Sequence, residues 1–86
     1  MELKNTVDLM LSDDYKERFR AEFYQLRIRY EKLVAILDLY DNHELDFELT
    51  CPRELYAKQI EGMEMYMDTL YDRAAIEGVD LERKAK

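Results

Sequence analysis

Phe19, Phe23, Leu26, Tyr30, Leu33, Leu37 and Tyr40 follow one another at intervals of 4, 3, 4, 3, 4 and 3 residues. An α-helix turns once in about 3.6 residues, so alternating steps of three and four keep all of these side chains on one stripe. A second stripe, Tyr56, Ile60, Met63, Met67, Leu70 and Ala74, repeats the pattern with intervals of 4, 3, 4, 3 and 4. Two amphipathic helices of similar length, each apolar along one edge, hide those edges most simply against each other. The spacing predicts an all-α fold, a long antiparallel two-helix hairpin, within one helical domain over residues 1–86. Two Gly and one Pro in 86 residues argue the same way, because an all-β sandwich needs a turn signal about every 8–12 residues.

Local signals bound the elements. Ser12 followed by Asp13 and Asp14 reads as a helix cap with acids in the first turn, opening a long helix over residues 13–41. Pro52 suits the first position of a second long helix over 52–77, with Cys51 as its N-cap and Glu54 in its first turn. Gly78 followed by Val79 predicts a left-handed cap with an apolar contact. Residues 42–50 form a polar connection in which Leu45, Phe47 and Leu49 alternate, as in an extended strap packed over one end of the hairpin. Leu3, Val7, Met10 and Leu11 predict a short N-terminal helix over residues 1–11, and residues 79–86 form a tail that frays at Glu82–Lys86.

A hairpin buries only one seam, and chains this short usually need a further source of core. Tyr24, Ile28, Ala35 and Ile36 on the first helix, and Leu55, Tyr66, Tyr71 and Ile76 on the second, lie off the main stripe. They predict a homo-oligomer joined through helix faces. Gly62 belongs to a further stripe with Gln59, Tyr66, Thr69 and Arg73. A mid-helix glycine costs about 1 kcal/mol relative to alanine, so something is expected to come close there, either a helix of another subunit or a ligand.

Thirteen Lys and Arg against twenty Asp and Glu give a net charge of −7, which argues against coating a long nucleic acid. Charge is unevenly placed. Lys16, Arg18, Arg20, Arg27, Arg29 and Lys32 form the one basic island, diluted by Glu17, Glu22 and Glu31, whereas residues 33–51 carry five acids and no base. No apolar run approaches the roughly 18–20 residues of a membrane span, and the first residues lack the layout of a signal peptide, so no membrane partner is expected and the expected compartment is the cytoplasm. One Cys and one His cannot assemble a zinc cluster or an intrachain disulfide.

Catalytic constellations are thin. His43 lies among loop carboxylates and reads as solvated. A helix N-terminus lowers a thiol pKa, but no general base stands at a readable spacing from Cys51, which reads as a small residue before a turn. Glu61 and Glu64 lack the E-x-x-H pattern of a carboxylate metal site. Neither a metal, a cofactor nor an enzyme activity is expected. Binding is better supported. Tyr15 opens the long helix beside Lys16 and Arg18, placing an aromatic plane and two cations within one turn, a combination that stacks on a base and neutralises a phosphate. The plainer alternative packs Tyr15 on a neighbouring segment and pairs the cations with nearby Glu.

The run Tyr15, Lys16, Arg18, Glu22, Leu26, Arg29, Lys32, Leu33, then Cys51, Pro52, Gln59, Met63, Tyr66, Leu70, Arg73, Ala74 and Gly78 resembles a family of small phage and prophage proteins first named from crAss-like phages, over about residues 12–81. That family is similar to the small helical phage anti-CBASS sponge, which assembles as a hexamer and sequesters cyclic oligonucleotide signals made by bacterial immune systems. The resemblance implies a non-enzymatic binder of a cyclic di- or trinucleotide, with pockets between protomers, Tyr15 as the aromatic and Lys32 as a cation. Arg18, Arg29 and Arg73 remain open as the working cation, and the candidate ligand set is Tyr15, Lys16, Arg18, Arg29, Lys32 and Arg73. Tyr15 and Lys32 are separated by roughly 25 Å of helix at 1.5 Å per residue, so two chains must supply them to one small ligand. Two other readings stand beside this one: a phage inhibitor that occludes a host defence protein such as a CRISPR effector, favoured by the acidic stretch, and a helical-hairpin assembly protein with no ligand.

Overall fold

A computed structural model describes residues 1–81. A 3-10 turn, Leu3–Thr6, runs into one turn of α-helix, α1 (Val7–Met10), followed by α2 (Tyr15–Asp41) and α3 (Arg53–Glu77). The predicted fraying of Glu82–Lys86 lies outside the described residues. The molecule is elongated, with extents of 43 × 25 × 24 Å. Its length is set by α2, whose 27 residues span roughly 40 Å.

The two stripes meet as an antiparallel seam, most tightly toward the open end of the hairpin. Phe19, Phe23, Leu70 and Ala74 are buried there with Tyr24 and Val79, and Leu26, Met67 and Tyr71 pack around them. Phe23 meets Tyr71 edge to face across the seam, with ring centroids 4.9 Å apart. Toward the loop the seam loosens without emptying: Leu37 is buried, Leu33, Ile60 and Met63 are half-buried, and Tyr40 is exposed.

The N-terminal segment changes what the hairpin leaves wet. Both its 3-10 turn and α1 pack on α2, and neither contacts α3. Thr6 is wholly buried beneath this contact; its hydroxyl donates to the Leu3 carbonyl at 2.7 Å and accepts from the Gln25 amide at 2.9 Å, so the buried oxygen is satisfied on both sides. Ala21, Gln25 and Ile28 follow at helical spacing, and Ala21, Tyr24 and Ile28 are buried within the single chain. Tyr24 and Ile28 therefore do not serve an intersubunit face as expected, because the N-terminal segment already makes α2 a two-sided helix. Leu55, Tyr66 and Ile76 on α3 do remain exposed.

Both helix starts differ from the sequence reading. Asp14, not Ser12, caps α2, its carboxylate accepting from the Lys16 N–H at 2.9 Å. Ser12 instead receives the Asp14 N–H at 3.0 Å and donates to Glu17, which fixes the turn between α1 and α2. Pro52, not Cys51, is the N-cap of α3, because its ψ of 144° keeps it extended and the helix begins one residue later. At the other end Gly78 has φ 72°, and the Val79 N–H closes onto the Ala74 carbonyl at 2.9 Å, so Val79 turns back into the core. In the strap, Leu45 and Leu49 are half-buried but Phe47 is 56% exposed, so the expected packing of all three is only partial.

Leu70→Ala should destabilise the folded chain by about 3 kcal/mol in urea titrations, since it empties the centre of a two-helix seam. Gly78→Ala should cost about 1 kcal/mol. That loss comes from the left-handed backbone alone, because a methyl there would stand in ordinary contact, 3.7 Å from the Lys16 ammonium.

Candidate functional site

At the open end of the hairpin the start of α2 lies beside the last turn of α3. Tyr15 stays 47% exposed, its ring edge-on to Phe19 at 6.2 Å between centroids. Its hydroxyl donates to one oxygen of Glu77 at 2.7 Å and accepts from Nη2 of Arg73 at 2.9 Å. Arg73 spends its Nε–H on the second oxygen of Glu77 at 3.0 Å, and its guanidinium carbon sits 5.0 Å from the centre of the Phe19 ring. The ring thus holds the cation from one side while the phenol and carboxylate hold it from the other.

Lys16 completes this end. Its ammonium lies over Gly78, at the C-terminus of α3, where the exposed carbonyls favour a positive charge. Of the six residues proposed from sequence, the structure brings Tyr15, Lys16 and Arg73 together. Arg18 is close in the chain but donates to the Ser12 carbonyl at 2.8 Å, so it braces the turn before α2. Arg29 and Lys32 are exposed, roughly 21 and 25 Å further along α2, and do not reach this cluster within one chain.

Sequence reasoning missed Glu77 and Phe19 as parts of the site. The four-residue spacing of Arg73 and Glu77 is the usual helical ion-pair spacing and could have flagged the pair. Nothing local could have linked either to Tyr15, which lies on the other helix.

Two more phenol–carboxylate bonds cross the hairpin. Tyr66 donates to Glu22, and Tyr30 donates to Glu64 at 2.7 Å. Each carboxylate prefers the neutral phenol, and it raises the pKa of Tyr15, Tyr30 and Tyr66 above the ordinary value; Arg73 partly opposes this at Tyr15. The hydrogen bond from Tyr15, opposed by desolvation and aided by the hydrogen bond and charge of Arg73, holds Glu77 below the usual carboxylate range.

The other concavities are chemically different. A depression of about 550 Å3 lies at the loop end between Tyr40, Phe47 and Cys51. Its one guanidinium, Arg53, is tied through two bonds of 3.0 and 2.9 Å to Asp41. A second cleft of about 390 Å3 is walled by Tyr30, Met67 and Tyr71, with Arg27 among the acids Glu31, Glu64 and Asp68. The loop depression is the larger of these two, but an anionic ligand needs several donors together, and Tyr15, Lys16 and Arg73 bring three to one end, with Glu77 holding the Tyr15 hydroxyl and the Arg73 Nε–H. Among the described residues no three His, Cys, Asp or Glu side chains group to hold a metal ion, and no helix is long and apolar enough to cross a membrane.

The three cross-helix phenols should limit alkaline stability. A raised pKa contributes in full below the ordinary tyrosine value of 10.0 and is lost as pH rises through the higher folded value. Thermal melts should therefore show Tm falling above pH ~10. The triple variant Tyr15→Phe, Tyr30→Phe, Tyr66→Phe should have a lower Tm at neutral pH and a shallower alkaline limb.

No curated protein and no solved structure matches the chain. A protein-family model does, described as Sequestin, and it spans residues 13–76, covering α2, the loop and nearly all of α3. The chain belongs to the Sequestin family and is a non-enzymatic anti-defence protein of the phage sponge type.

Proposed function

We propose that this protein captures a cyclic di- or trinucleotide immune signal and holds it unchanged, in pockets completed where protomers of a homo-oligomer, a hexamer by family resemblance, meet in the cytoplasm of the host cell. The observation that carries this reading is the convergence of Tyr15, Arg73 and Lys16 from two helices at one end of the hairpin. An exposed phenol ring offers a face to a base, and stacking of this kind contributes about 1–3 kcal/mol per base. Guanidinium and ammonium groups supply charge-assisted bonds to phosphate oxygens. Arg29 and Lys32, distant in one chain, enter the same pocket from a second.

Glu77 has a defined part in this scheme. It accepts from the Tyr15 hydroxyl and from Nε of Arg73, donors that a phosphate would also use. Binding then exchanges one anion for another. Glu77 preorganises the donors and competes for them, and capture proceeds without forming or breaking a covalent bond.

Isothermal titration against a panel of cyclic di- and trinucleotides should give sub-micromolar binding. Tyr15→Ala and Arg73→Ala should each weaken it by about tenfold or more, the loss of a stacking or charge-assisted contact. Glu77→Gln should tighten it by removing the competing charge. Silence across the panel with the intact oligomer would reject the reading.

The acidic loop supports a second reading, occlusion of a host defence protein, because Phe47 projects 56% exposed from a segment that carries Asp46 and Glu48. A pull-down from a susceptible host distinguishes the two: this reading requires one dominant protein that Phe47→Ser fails to retain.

A further inference from the structure

Seven residues are about two helical turns, so Glu22 lies on the same edge of α2 as Tyr15, and Tyr66 on the same edge of α3 as Arg73, each pair spaced by roughly 10 Å. The bonds across the hairpin follow that register. Tyr15 meets Arg73 and Glu77, and two turns nearer the loop Tyr66 donates to Glu22. A second aromatic ring, 44% exposed, therefore stands in line with the first. Arg73 serves both: it bonds the Tyr15 hydroxyl, and its charge acts on Tyr66, where it opposes the stronger effect of the hydrogen bond to Glu22. Two exposed rings sharing one cation match the plan of a cyclic dinucleotide, in which two bases flank a charged phosphodiester ring.

The Tyr66 ring has room beside it. A helical side chain leans over the turn that precedes it, and the residue one turn before Tyr66 is Gly62. A Cβ built there would meet nothing within 4 Å. The flank of the ring is open down to the backbone of α3, so a flat group can lie against it, which gives a use to a glycine in the middle of a helix.

Glu22 sets what that flat group can be. An ionised carboxylate only accepts hydrogen bonds, with about four lone-pair sites, and the Tyr66 hydroxyl engages one oxygen. Guanine presents two donors side by side, N1–H and the N2 amino group, in the fork that a carboxylate accepts. Adenine sets the N1 lone pair beside its amino group, and that lone pair would face a negative oxygen. We propose that Tyr66, Gly62 and Glu22 form a second base subsite in this groove, one that selects guanine over adenine. The inference rests on the nucleotide reading above and adds to it the identity of a base.

Isothermal titration of the full chain with cyclic di-AMP, cyclic GMP–AMP and cyclic di-GMP tests it, with far-UV circular dichroism as the check on folding. The guanine-containing ligands should bind about tenfold more tightly than cyclic di-AMP, the discrimination expected of one bidentate pair. An analogue with hypoxanthine in place of guanine keeps N1–H but lacks the amino group, and it should fall between them. Glu22→Gln should shrink the preference to about twofold or less, because the amide sets a donor where an acceptor stood. Tyr66→Phe keeps the ring and should keep the preference, whereas Tyr66→Ala should weaken the guanine ligands by about tenfold. Equal binding of all three ligands, or a preference that survives Glu22→Gln, would overturn this inference and leave the sponge reading standing. Silence toward these three alongside binding of a cyclic trinucleotide would do the same, and silence toward every cyclic nucleotide would reject both.

Discussion

Two phenylalanines one helical turn apart, Phe19 and Phe23, lie beneath the surface of α2 and are covered by Leu70 and Ala74 of α3. Removing these rings from water is the dominant favourable contribution available to a hairpin of this length, and the rest of the structure is arranged around where it happens. The seam is tightest at the open end, where no covalent turn joins the helices. Gly78 and Val79 close it there by folding the chain back into the core. Toward the loop, buried Leu37 and half-buried Leu45 and Leu49 are joined by a polar contact, Arg53 bridged to Asp41.

That distribution positions the candidate site. The cations that converge beside Tyr15 do so because Phe19 anchors the start of α2 against the end of α3. Arg73 lies over the same ring that Tyr15 touches by its edge. The apolar seam and the polar cluster are therefore consecutive layers at one end of the molecule. The cross-helix phenols extend the arrangement along the groove, each directing a ring across the hairpin toward a carboxylate on the opposite helix. Individually, exposed bonds of this kind contribute little to stability. Their spacing along the hairpin opposes a slip of one helix past the other, which a smooth apolar stripe alone tolerates.

The sequence reading reached its limit at two kinds of feature. Off-stripe apolar residues were legible as a surplus, but their destination was not. Tyr24 and Ile28 went to the N-terminal segment, whereas Leu55, Tyr66 and Ile76 stayed outside. Periodicity records the angle at which a side chain leaves its helix and carries no information about what arrives from elsewhere in the chain. Cap positions failed for a different reason. Ser12 and Cys51 are each one or two residues from the true cap, because Asp14 bonded the Lys16 N–H and the extended backbone of Pro52 delayed the start of α3.

What the chain's residues fixed unaided was the all-helical class, the two long helices, their antiparallel pairing and the left-handed stop at Gly78, all of which follow from interactions within a few residues or from one shared period. The joining of Tyr15, Arg73 and Glu77, the burial of Thr6 against Gln25 and the isolation of Arg29 and Lys32 from the cluster were decided only by the tertiary structure. Those outcomes depend on the axial register of one helix against another and on the docking of a third segment. A stripe that repeats every seven residues fits its partner at several registers, and only the packing of particular rings and the bonding of particular carboxylates selects among them.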